Sequence, residues 1–231
     1  MNSTKRAARV AGALYLISGV FGFFDLMYVP SKLIVSGNAA ATANNILASE
    51  TLFRAGMVSE LIGGAEWIFV VWALYRLLSS VNKTLATLMV ILGLASVPIM
   101  MLNVSNEFAS LALLHGTNSL SVFGKAQLDA LSMLFVHLHG EGFTIAEVFW
   151  GLWLIPFGVL VMRSGFLPRI LGALLIVACF GYLADSFTSV VLPSYDDLVN
   201  RFAGILEAGE LPIIFWLLII GAKDQPLADS A

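Results

Sequence analysis

The sequence predicts an all-α, polytopic membrane helix bundle of about six transmembrane helices, and three observations predict it. Apolar residues make up 59% of the 231 and charged residues 12%, against roughly 45–50% and about 25% in soluble domains. Apolar runs of about 20 residues recur along the chain, each long enough to cross the hydrocarbon core of a bilayer. The basic residues divide unevenly between the two sides those runs define. Mean hydropathy is +0.90, so residues 1–231 read as a single integral membrane domain rather than a soluble domain with an anchor.

The first span covers residues 8–29 and is closed by Pro30. Its start (Lys5, Arg6, Arg9) resembles that of a signal peptide. The run is long, though, and no clear small-x-small cleavage site follows, so it reads as an uncleaved span. A polar Ala/Asn-rich stretch follows, whose second half, 38–50, is expected to be a short interfacial helix. Span 2 covers 52–78 and span 3 covers 85–114, separated by the short loop SSVNKT. Beyond the loop HGTNSLSVFG, residues 125–139 pattern as a second interfacial helix. There Leu128, Leu131, Met133, Leu134 and Leu138 cluster on one side, with Lys125 and Asp129 facing away. Spans 4, 5 and 6 are expected at 142–162, 167–192 and 202–221.

Orientation follows from the basic residues. Lys5, Arg6, Arg9, Arg76, Lys83, Arg163, Arg169 and Lys223 fall on one side, and Lys32, Arg54, Lys125 and Arg201 on the other. The richer side is expected to be cytoplasmic, and six spans then put both termini there. The acidic residues show the reverse bias. Asp25, Glu60, Glu107, Glu147, Asp185, Glu207 and Glu210 all lie in the outer halves of their spans, with Glu66 near the middle of span 2. A charge near the bilayer centre costs about 2.5–3.5 kcal/mol on insertion scales. A chain that keeps several must turn them inward, pair them or protonate them.

Helical spacing turns them inward. Asn103, Asn106, Glu107 and Ser110 share one stripe, and Thr144, Glu147, Gly151 and Gly158 another. Asp25 lies with Gly22 and Ser18, Glu60 with Gly64, and Asp185 with Gly181 and Ser189. Small residues mark helix–helix contact faces in membranes. The expectation is a polar pocket lined by Asp25, Glu60, Asn103, Asn106, Glu107, Glu147 and Asp185 and opening outward. It would take a small cation, a proton-coupled solute or an amphipathic or lipid ligand, or else form a hydrogen-bonded network that ties the bundle together. The aromatic stripe Phe143, Trp150, Phe157, extended by Trp153, either walls an apolar chamber or faces lipid.

His137, His139 and Glu141 are the candidate metal ligands, because imidazole and carboxylate together suit a divalent metal. His137 and Glu141 share a helix face while His139 points elsewhere. All three converge only if the helix breaks at Gly140. The competing reading is a set of hydrogen-bonding groups at the membrane rim. The lone cysteine, Cys179, excludes an intramolecular disulfide, C-x-x-C chemistry and a Cys-rich zinc site. There is no P-loop, no G-x-G-x-x-G after a strand and no G-x-S-x-G, and no basic run suited to nucleic acid. Beyond the lipid bilayer, a second copy of the chain is a compatible partner.

RVAGALYLISGVFG, AAATANNILASETLFR, ALYRLLSSVNKTLATLMV and FWGLWLIPFGVLVMRSGFLPRILGALL together resemble the bacterial membrane-protein family catalogued as domain of unknown function 4386. The resemblance covers roughly residues 8–221. It implies a multi-pass protein of the bacterial cytoplasmic (inner) membrane, and it brings no catalytic residue with it. Three activities stay open: binding or transport of a small ligand by the acidic pocket, a membrane-embedded metal-dependent enzyme acting on a lipid or isoprenoid, and an accessory subunit of a membrane complex.

Overall fold

A computed structural model describes residues 3–116 and 120–223 of the chain. Among the described residues the secondary structure is helical, and six helices are long and apolar enough to cross a membrane. Helix α1 runs Ser3–Leu33 as one span, α-helical over Ser3–Gly22, π-helical over Phe23–Tyr28 and α-helical again over Val29–Leu33. The short α2, Ala39–Ala48, is capped by Asn38, whose side chain accepts from the Ala41 N–H at 3.0 Å. Then come α3 (Glu50–Leu78), α4 (Lys83–His115), α5 (Lys125–Arg163, with a break at Trp153) and α6 (Arg169–Val191). The last helix, α7, begins as Asp196–Glu207, tightens at Ala208–Glu210, resumes over Leu211–Phe215 and ends in a π-turn, Trp216–Ile220.

Two sequence expectations need correction. Pro30 does not close the first span. It sits in the first turn of Val29–Leu33, directly after the π-turn, a position where its missing N–H interrupts no regular helical bond. Residues 125–139 are not a separate interfacial helix either. They are the opening turns of α5, which passes through Gly140 without a break to Leu152. Of the two polar groups expected to face away, Lys125 is exposed but Asp129 is buried, with Lys125 Nζ 2.7 Å from Asp129 Oδ2; Ser132 is buried as well, and the Ser110 and Ser132 hydroxyls bond at 2.8 Å.

The chain divides into two compact units. Unit 1 comprises Met1–Ser18, Glu66–Ser96 and Ala146–Ala231. Its core is aromatic at the centre. Trp67 and Trp153 meet edge to face at 5.0 Å, Tyr15 packs on both, and Phe157 stacks on Trp153. Trp153 and Phe157 are therefore core residues rather than lipid-facing ones. Helices α5 and α6 approach at Gly158 and Gly172, where a Cβ on Gly158 would meet the Gly172 carbonyl at 2.6 Å. Helix α1 meets α7 through Gly12, against the Leu217–Leu218 backbone, and through Arg9 Nη2, which donates to the Ile219 carbonyl at 2.9 Å. The Tyr15 hydroxyl adds a hydrogen bond to Glu210.

Unit 2 comprises Gly19–Ala65 and Val97–Ile145. Val29, Ile46, Phe53, Met57, Val104 and Leu111 form its apolar core. The α2 segment is tied down beside it, with Asn45 donating to the Leu33 carbonyl at 3.2 Å and the Val35 N–H donating to Thr42 at 2.9 Å.

Candidate functional site

Unit 2 gathers its polar side chains from four helices, α1, α3, α4 and α5. Helix α4 presents Asn103, Asn106, Glu107 and Ser110 at i, i+3, i+4 and i+7, which is one face of a 3.6-residue helix. Helix α3 contributes Glu60, and α5 contributes His139. Gly142 lets α4 and α5 close up, because a Cβ there would fall on the Asn103 amide. In the space so made, Asn103 Nδ2 donates to the His139 carbonyl at 2.8 Å, and its Oδ1 accepts from Asn106 Nδ2 at 2.9 Å. The His139 ring stands edge-on to Phe143, with centroids 4.9 Å apart.

The centre itself is compact. His139 Nε2 lies 2.8 Å from Glu60 Oε2 and 3.7 Å from Glu107 Oε2. One ligand atom from each of the three residues fits within 4.8 Å of the other two. A tetrahedral ion with bonds of about 2.1 Å has its ligand atoms roughly 3–3.5 Å apart, so the observed spacings bracket what an ion needs. Glu60 is 1% exposed and Glu107 7%. Glu60 Oε1 and Glu107 Oε2 are buried without a hydrogen-bond partner, although a buried carboxylate oxygen normally has one. Asp25, carried on the π-turn of α1, interacts electrostatically with Glu60, Glu107 and His139 and also has a buried oxygen without a hydrogen bond. π-turns inside helices recur at functional sites.

Unit 1 holds a second acidic group. Glu147 on α5 and Asp185 on α6 interact, with Glu207 and Asp196 adding negative charge. Asn200 Nδ2 donates to Asp185 Oδ2 at 3.2 Å, and Ser189 hydrogen-bonds to Asp196. Glu210 is held differently, by hydroxyl donors from both Tyr15 and Tyr182.

The pocket residues expected from the sequence therefore fall into two sets: Asp25, Glu60, Asn103, Asn106 and Glu107 in unit 2, and Glu147 and Asp185 in unit 1. Of the expected metal ligands only His139 belongs to the unit 2 centre. The helix does not break at Gly140, so His137 and Glu141 stay on the exposed side of α5. Sequence reasoning joined His139 to its neighbours along the chain, whereas its partners lie 79 and 32 residues away. The tyrosine clasp on Glu210 was also missed, and a single sequence carries no signal for it.

Comparison with known proteins adds family membership and little else. A protein of Archaeoglobus fulgidus that carries the name "Uncharacterized protein" is 33% identical over 79 residues, which are 34% of this chain and 46% of that relative. The chain thus matches less than half of that relative's length. No solved structure matches the chain. The model of one family, described as a domain of unknown function (DUF4386), matches residues 10–221. The chain, an all-α membrane protein with six span-length helices among its described residues, belongs to that family.

Proposed function

We propose that the protein binds a small cation inside the membrane, with a divalent metal ion as the best fit to the unit 2 centre of Glu60, Glu107 and His139. The observation that carries this reading is the pair of buried carboxylate oxygens on Glu60 and Glu107 that have no hydrogen-bond partner, beside the His139 imidazole. Two carboxylates and one neutral imidazole balance the charge of a divalent ion. That ligand mix suits zinc, manganese or iron better than an all-oxygen calcium site. Asn103 is the second-layer residue, since its bond to the His139 carbonyl fixes that turn of α5.

The basic-residue bias supports a cytoplasmic-membrane location with both termini in the cytoplasm. The centre then lies in the outer half of the bundle. A second reading is a membrane-embedded metal-dependent enzyme acting on a lipid or isoprenoid. It is favoured by the three-residue ligand set, which leaves a coordination position for water or substrate.

The test is elemental analysis of detergent-purified protein from metal-supplemented cultures, for the natural chain and for Glu60→Gln, Glu107→Gln, His139→Ala and His137→Ala. About one metal ion per chain is expected in the natural chain and in His137→Ala, with loss in the other three. No metal in any sample, and no change in thermal stability on adding zinc, manganese or iron, would overturn the proposal. Turnover of a lipid by the metal-loaded protein alone would select the enzyme reading.

A further inference from the structure

The first turn of α1 and the end of α7 border an open cavity of about 270 Å³ lined by Lys5, Trp216, Ile220, Gly221, Ala222 and Lys223. The local backbone positions both lysines. Gly221 has φ +78°, ends α7, and sends its N–H to the Trp216 carbonyl at 2.8 Å. A Cβ on Gly221 would meet Lys5 Cγ at 3.0 Å, so the glycine is what lets Lys5 lie against the chain. The Lys223 N–H is tied to the Phe166 carbonyl at 3.0 Å, which fixes the second lysine's backbone opposite the first.

Among the described residues the charge at this cavity is one-sided. Among the described residues no carboxylate forms an ion pair with Lys5 or Lys223. The carbonyls that end α7 would repel an anion, but two of them are already engaged, Trp216 by Gly221 and Ile219 by Arg9. Half of the lining is apolar: Trp216, Ile220 and Ala222. Both helices are span-length, so the cavity lies where a spanning helix meets the headgroup layer, the depth at which tryptophan is enriched.

From this the geometry points to a binding site for the phosphate of an anionic phospholipid headgroup, with Lys5 and Lys223 as the phosphate ligands and Trp216 and Ile220 against the glycerol and upper acyl carbons. The volume is at or just below the ~300 Å³ lower end of small-molecule pockets, which suits a headgroup and not a whole lipid. Basic pockets between transmembrane helices on the cytoplasmic side recognise such headgroups, and the apolar lining separates this source of phosphate from the free ion.

The experiment is lipid titration of the full-length, delipidated protein in detergent, read by tryptophan fluorescence and native mass spectrometry. The probes are phosphatidylglycerol, phosphatidylcholine and inorganic phosphate. Phosphatidylglycerol is expected to bind and the other two are not. Each lysine is worth about fivefold in affinity, so Lys5→Gln with Lys223→Gln weakens binding by about 25-fold. Lys5→Arg with Lys223→Arg retains it. Lys83→Gln with Arg169→Gln, which removes the same charge from two other exposed positions, changes it by less than about twofold. Equal binding of phosphatidylcholine, an equal response to inorganic phosphate, or an equal loss in the two glutamine pairs would each overturn the assignment.

Discussion

Adding one methyl group at Gly142, and the same methyl group two residues earlier at Gly140, separates packing from helix propensity. Both glycines lie inside α5, and alanine is favoured over glycine in a helix by roughly 0.5–1 kcal/mol. At Gly140 nothing stands within 4 Å of the new Cβ, so Gly140→Ala is expected to be neutral or stabilising by about that amount. At Gly142 the Cβ falls on the Asn103 side chain, which is 7% exposed and cannot yield without leaving its place. Moving it breaks its bonds to the His139 carbonyl and to Asn106.

Side-chain hydrogen bonds between membrane helices are worth about 0.6 kcal/mol on average and up to about 1.7, and overpacking adds about 1–3 kcal/mol. The net cost of Gly142→Ala is therefore about 3 kcal/mol. At roughly 2–4 °C per kcal/mol for a chain of this length, the apparent melting temperature falls by roughly 6–12 °C. The assay is thermal unfolding in detergent followed by tryptophan fluorescence, with the two variants side by side. If Gly142→Ala melts within about 2 °C of Gly140→Ala, the Asn103 clasp is not packed as described, and the positioning of His139 loses its explanation.

Two further predictions concern packing and orientation. Gly158→Ala forces a Cβ against the Gly172 carbonyl and Ile176 and is expected to cost about 2–3 kcal/mol, whereas Gly204→Ala, with nothing within 4 Å, serves as the neutral control in the same melting assay. The natural chain, whose only cysteine is fully buried, is expected to resist a membrane-impermeant maleimide on intact cells. Val122→Cys, at a position 81% exposed, is expected to label and Ser3→Cys is not; the opposite pattern would reverse the orientation inferred from the basic residues.

The spans were legible because each is a long apolar run, and the cost of exposing backbone to lipid leaves a helix as the only structure for such a run in this chain. The start of α5 was misread for the same reason in reverse. Lys125, Asp129, His137 and His139 lower its hydropathy, so the segment looked like a helix lying on the membrane, when Asp129 and Ser132 in fact face the inside of unit 2. The stripe from Asn103 to Ser110 was readable from helical spacing alone. Its meeting with Glu60 and His139 was not, because periodicity places residues on a face and says nothing about which face of another helix lies opposite. His137 and Glu141 attracted attention through their i, i+4 spacing, which an unbroken helix turns outward along with them.

The contacts between α1 and α7 bear on how the protein is made. Arg9 meets the Ile219 carbonyl 210 residues further on, and Tyr15 meets Glu210 after 195. At about 5–20 residues per second, the first helix enters the membrane some 10–40 s before its partner has been synthesised. During that interval Gly12, Arg9 and the Tyr15 hydroxyl lack the α7 groups they meet in the finished fold. Helix α1 thus waits in the bilayer for α7, and a chain interrupted before α7 leaves that face of α1 open to capture by quality-control proteases.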